Sequence, residues 1–249
     1  MTAQPVPAAT ARASAWVVTA ADRVFGGTVG DLVPVRFPAY ARVFHPALRV
    51  GAPVRWSEVA TAHGRAMHPL AQWAQLNPPS PGETSRPEQW GSDLRPITAR
   101  LAVWDEEPVL GSMPAMVAAE LVSVLTKHTR TPGRCWFAVW DGYGALSARW
   151  RAAPSFELFG RDMALLSGSI ASAAFSLSDK PFEDLYANMW WPSDHSWCVA
   201  TDVDMMTTYV GGSAEAVEAL VRNDFLEVLP AAAEHSVTWD SDTVNHARP

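Results

Sequence analysis

Lysine is nearly missing from this 249-residue chain: Lys127 and Lys180 are the only two, and the other basic residues are scattered arginines. A nucleic-acid partner needs a basic stripe that displaces counterions from phosphates. A chain of net charge −7 with no cationic cluster argues against such a partner. Cysteine is equally scarce. Cys135 and Cys198 each sit in an apolar run flanked by tryptophan, the setting of inert core thiols. No run approaches the roughly 18 apolar residues that cross a bilayer. The first 20 residues, MTAQPVPAATARASAWVVTA, lack the charged start and apolar stretch of a signal peptide. A soluble, cytoplasmic protein without a membrane partner is the expectation.

Catalytic signatures are missing too. There is no HExxH, no GxSxG elbow and no Walker A segment. His63 and His68 are five apart, whereas two zinc ligands on one helix face need a spacing of four. His45 precedes Pro46 in a proline-punctuated stretch and has no evident partner. Gly142-Tyr143-Gly144 follows an apolar run as a dinucleotide fingerprint would. However, the third glycine is replaced by Ser147, and Pro154 leaves no room for a crossover helix. A tight turn explains these glycines. No metal and no cofactor is expected.

Tryptophan is abundant, with twelve in the chain. Each indole buries roughly 200 Å², so an aromatic-heavy core is expected, with some rings free to line a pocket or an interface. Hydrophobic residues at 48% and charged residues at 18% describe an ordinary globular protein. The bias to arginine and alanine fits a high-GC bacterial genome.

Along the chain, residues 1–14 are rich in Ala, Pro and Thr and are expected to be mobile, as is the polar tail 241–249. Residues 77–96, NPPSPGETSRPEQWGSDLRP, read as a proline-rich loop. Between the termini one domain, 15–240, is expected. Ser57 opens a helix to about His63, and a helical turn lies near 69–76. The best helix starts at Ser112, with Met113, Met116, Val117, Leu121, Val124 and Leu125 at helical spacing.

The run CWFAVW (135–140) reads as a strand buried on both faces. Residues 155–159 and 163–167 flank Gly160-Arg161-Asp162 as a hairpin. Strands near 197–201, 205–210 and 236–239, a small-residue helix at 169–176 and a helix capped by Ser213 complete the reading. The pattern predicts an α+β fold: a mainly antiparallel sheet with helices packed on one face. Residues 135–140 and 197–201 should lie side by side as its spine.

The densest cluster of chemical groups is 186–213, YANMWWPSDHSWCVATDVDMMTTYVGGS. A strand from 197 to 209 would be too long, so a bend near Asp202 and Asp204 is expected. Those acids either cap the turn or, with His195 nearby, supply acid–base or metal-assisted chemistry on a small molecule. Trp190 and Trp191 are adjacent, so at most one is expected to be fully core, with the other covering a pocket or meeting a partner. Tyr143 and Arg149 are candidate contributors from a neighbouring strand end. The first reading is a non-catalytic protein that binds another protein or a small ligand through a Trp-rich surface or pocket. An enzyme centred on Asp202, Asp204 and His195 is the alternative.

Three stretches, AYARVFHP (39–46), CWFAVWDGYG (135–144) and WWPSDHSWCVATDVD (190–204), resemble those of an uncharacterised family of hypothetical proteins from high-GC bacteria. The likeness spans most of the chain. It implies one coherent domain and no particular activity, so it carries no site residue.

Overall fold

The computed structural model describes residues 3–20, 25–77 and 103–245. The proline-rich stretch read at 77–96 lies, apart from Asn77, outside the described residues, as does Trp90. In chain order the elements are β1 (Val6–Pro7), α1 (Ala15–Ala20), α2 (Val29–Leu32), β2 (Ala39–Phe44), β3 (Ala47–Arg49), β4 (Ala52–Val54), α3 (Trp56–Ala62), α4 (Trp73–Leu76) and α5 (Ala115–Leu125). There follow β5 (Cys135–Trp140), α6 (Ala148–Arg151), β6 (Ser155–Leu158), β7 (Arg161–Gly168), β8 (Met189–Pro192), β9 (Cys198–Ala200), β10 (Thr207–Gly212), α7 (Ala214–Val221) and β11 (Glu227–Ala231).

The chain divides into two compact units. One comprises Met1–His45 with Val109–Val237, the other Pro46–Pro108 with Thr238–Pro249. The helices α3 and α4 of the smaller unit build a core of their own. Trp56 and Trp73 meet at 5.3 Å, and Trp73 meets Trp104 edge-on at 5.5 Å. The tail expected to be flexible joins this unit as far as Asn245. Asp242 is fully buried, 2.8 Å from His68 Nε2, and accepts from the backbone and side chain of Asn245. A short polar tail orders when buried partners satisfy its groups.

The larger unit holds an antiparallel sheet of nine strands in the order β1-β7-β5-β8-β9-β10-β2-β11, with β6 also on β7. An α+β architecture with an antiparallel sheet is therefore as expected from the sequence. β1 pairs Val6 with Ser167 and Pro7 with Leu166, so part of the stretch expected to be mobile is a sheet edge. β8 lies between β5 and β9, so the two apolar runs expected as neighbours are separated by one strand.

Side-chain alternation assigns the sheet two cores. Phe137, Val139, Leu166, Trp190, Val199 and Val210 point to one face, where they meet Val117 and Leu121 of α5 and Leu220 of α7. Ala138, Leu165, Trp191, Cys198 and Tyr209 point to the other, where they pack with Ala8, Val17, Val29, Leu32 and Val33. The longer helices thus pack on one face as expected, while α2 and its flanks close the second. Ser213 Oγ accepts from Ala216 N at 3.2 Å and starts α7, a cap worth about 1 kcal/mol. The buried side of α5 is Val117, Ala118, Leu121 and Leu125, and Met116 is exposed.

Candidate functional site

A cleft opens on the second face of the larger unit, at the sheet end where β5 and β9 finish and β7 and β8 begin. It is lined by Leu32, Trp140, Leu158, Phe159, Arg161, Met163, Asn188, Met189, Ala200, Thr201, Asp202 and Val203, and the space they border, open solvent included, is about 410 Å³. The strand register builds it. Trp140 lies opposite Met163, Ala138 opposite Met189, and Met189 opposite Ala200. These cross-strand partners share a face, and Ala200 is short where the methionines are long. A depression remains beside it that the polypeptide does not fill.

Asn188 fixes the rear of the cleft. Its Oδ1 accepts from Trp140 N at 2.9 Å, and its Nδ2 donates to Tyr143 Oη at 2.8 Å and to the Thr201 carbonyl at 3.1 Å. One buried amide therefore ties together the ends of β5, β8 and β9. Tyr143 Oη in turn donates to the Gly111 carbonyl. Burial, its main cause, raises the Tyr143 phenol to about 12, so it stays protonated and serves as a strut. The Tyr143 ring meets Trp140 edge-on at 5.2 Å.

Asp202 and Asp204 form the turn between β9 and β10. Asp202 Oδ1 accepts from Asp204 N at 3.1 Å, a side-chain cap of the turn. Both also meet Arg161 at the start of β7: Nη1 lies 2.6 Å from Asp202 Oδ2 and Nη2 lies 3.3 Å from Asp204 Oδ2. The Asp202 side chain is only 16% exposed and Asp204 is 79% exposed. The first pair is therefore the fixed one, and the second contributes little. The guanidinium carbon sits 5.9 Å from the Trp140 ring centre.

Thr201 continues inward. Its hydroxyl lies 2.6 Å from Thr208 Oγ1, which lies 2.9 Å from His45 Nε2, while His45 Nδ1 lies 2.8 Å from the Val109 carbonyl. A carbonyl only accepts, so Nδ1 carries the proton and Nε2 takes one from Thr208. Burial above all, with Arg42 adding to it, lowers the His45 pKa to about 4 against the opposing pull of the Val109 carbonyl.

The residues singled out from the sequence are only partly assembled. Asp202 lines the cleft, Asp204 flanks it, and Tyr143 supports it. His195 lies at the opposite end of β9, in the β8–β9 turn, with φ of 51° and its ring stacked on Trp16 at 4.4 Å. Burial and the nearby Arg36 lower its pKa, with Asp194 opposing. His195 and the two acids are therefore not one constellation. Trp190 and Trp191 are both buried, at 1% and 0% exposure. Both are core, not at most one as expected, because the sheet is covered on both faces. Arg149 is exposed and lies over Trp150, 3.8 Å from its ring centre, away from the cleft lining. Among the described tryptophans Trp239 alone is largely exposed.

Trp140, Arg161 and Asn188 escaped the sequence reading. Arg161 read as part of a hairpin turn, and its carboxylate partners come 41 and 43 residues later. Among the described residues no group of three His, Cys, Asp or Glu side chains is placed to hold a metal ion, and no helix is long and apolar enough to cross a membrane. No protein-family model, curated protein or solved structure matches the chain.

Proposed function

We propose that the chain is a non-catalytic binding protein that takes a small, mainly apolar molecule into the cleft beside Ala200. The observation that carries this reading is the cleft wall. Leu32, Leu158, Met163, Met189, Trp140 and Phe159 surround a surface depression, apolar with a few polar groups at its edge, as ligand sites are. Elsewhere on the same face the side chains pack into a continuous core. Methionine suits such a wall because its flexible, polarisable side chain adapts to a guest. Trp140 adds a rigid aromatic surface beside a charged group that orients what enters. The aromatic richness of the sequence fits binding through this pocket, since the adjacent indoles of Trp190 and Trp191 are occupied in the core.

A neutral naphthyl probe that fluoresces in apolar surroundings tests the reading. The wild-type chain should bind one equivalent saturably. Val203 is half-buried at the cleft mouth. Val203→Trp should weaken binding at least tenfold while the melting temperature stays within a few degrees. Unchanged binding in that variant, or none in the wild type, defeats the proposal.

A further inference from the structure

The polar groups that line the cleft are not equally occupied, and the imbalance selects a head group for the ligand. Asn188 spends its acceptor on Trp140 N and both amide hydrogens on Tyr143 and Thr201. The Thr201 hydroxyl is engaged with Thr208. Asp202 receives Arg161 on one oxygen and Asp204 N on the other. Arg161 differs. A guanidinium carries five N–H donors, and its side-chain partners among the described residues are Asp202 and Asp204, which leaves three donors without a partner among the described residues.

The charge balance works the other way from the donor balance. Two carboxylates face one guanidinium, so the mouth holds one negative charge in excess. A carboxylate guest would reach Arg161 only against Asp202 and Asp204. An ammonium guest could reach the exposed Asp204, but that acid lies outside the cleft lining, and within the lining it would compete with Arg161 for Asp202 at 2.6 Å.

Taking the cleft as the binding site argued above, we propose that it selects an uncharged, mainly apolar molecule carrying one hydrogen-bond acceptor, such as a ketone, amide or ether oxygen, which Arg161 receives. Asp202 and Asp204 are then specificity residues. They hold the guanidinium in place and turn away anionic analogues.

Calorimetric titration of the full chain with four guests of one size tests this: phenylbutanone, butylbenzene, phenylpropanoate and phenylpropylammonium. Phenylbutanone should bind about tenfold more tightly than butylbenzene, the worth of one hydrogen bond to a charged donor. It should also exceed both charged guests by tenfold or more at low salt. The double variant Arg161→Met with Asp202→Asn keeps the apolar stem and removes the charge pair. It should still bind butylbenzene and should lose the preference for the ketone. Tightest binding of phenylpropanoate or of phenylpropylammonium overturns the inference, as does equal binding of ketone and hydrocarbon, while leaving the cleft as a ligand site. Failure of all four guests together with the naphthyl probe overturns both.

Discussion

Trp190 and Trp191 are neighbours in the chain and belong to different cores. Trp190 meets Trp197 edge-on at 5.1 Å on the helix-covered face, and Trp191 meets Trp16 edge-on at 5.7 Å on the other. Their rings have different aromatic partners and belong to different core clusters, so their contributions should be independent. Trp190→Phe and Trp191→Phe should each lower stability by about 1–2 kcal/mol. The double variant should equal the sum within about 0.5 kcal/mol. Denaturant unfolding of the three variants measures this, and strong coupling would mean that the two faces are not separate.

Gly111 meets the backbone of the cleft turn at close range. Its φ is 77°, and an added Cβ would lie 2.4 Å from the Val203 carbonyl oxygen. Its N–H donates to the Met205 carbonyl at 2.9 Å, so it braces the turn that carries Asp202 and Asp204. Gly111→Ala should cost about 2 kcal/mol or more. Gly133 has open space around it, so Gly133→Ala should stay within about 0.5 kcal/mol. Thermal melts of the pair distinguish strain from a general effect of losing glycine.

His45 makes stability depend on pH. Its folded pKa of about 4 lies below the ordinary 6.5, so between those values the unfolded chain binds a proton that the folded chain does not. The contribution is complete above pH 6.5 and declines as pH falls toward 4, amounting to roughly 3 kcal/mol in all. His195, also lowered, adds in the same direction. His45→Gln should flatten the slope of unfolding free energy between pH 6.5 and 4, with Arg42 and Thr208 left in place; an unchanged slope would count against a neutral buried imidazole.

Much of the fold was legible because some signals are local. The run CWFAVW is apolar at every position and became β5, packed on both faces. Ser213 read as a cap and caps α7. Of the strands missed, two have clear physical reasons. MWWP of β8 has four residues and ends in proline, with no alternation to read, because both faces are buried. EVLPA of β11 carries Pro230, which fits only an edge strand, and β11 is the sheet's last strand. The cleft was the least legible part. Asp202 and Asp204 could be seen as a turn, but no spacing rule pairs them with Arg161 across four strands, or shows that Asn188 gathers three strand ends.

The thiols offer a separate test of burial. Desolvation raises Cys135 to about 12 and Cys198 higher still, with Asp194 adding to the effect at Cys135. Neither should react with an aromatic disulfide reagent in the folded chain at pH 8, and both should react in denaturant. Rapid labelling of either thiol in the native protein would mean that β5 or β9 opens readily.

The most direct test of the cleft as a ligand site is methionine methyl NMR during titration with phenylbutanone. The chain has eight methionines. Met163 and Met189 line the cleft, and Met113 is buried on the opposite face. Saturable shifts of the Met163 and Met189 methyl signals, with Met113 unmoved, are the predicted result. Shifts that spare both cleft methionines, or that move Met113 equally, would contradict the account.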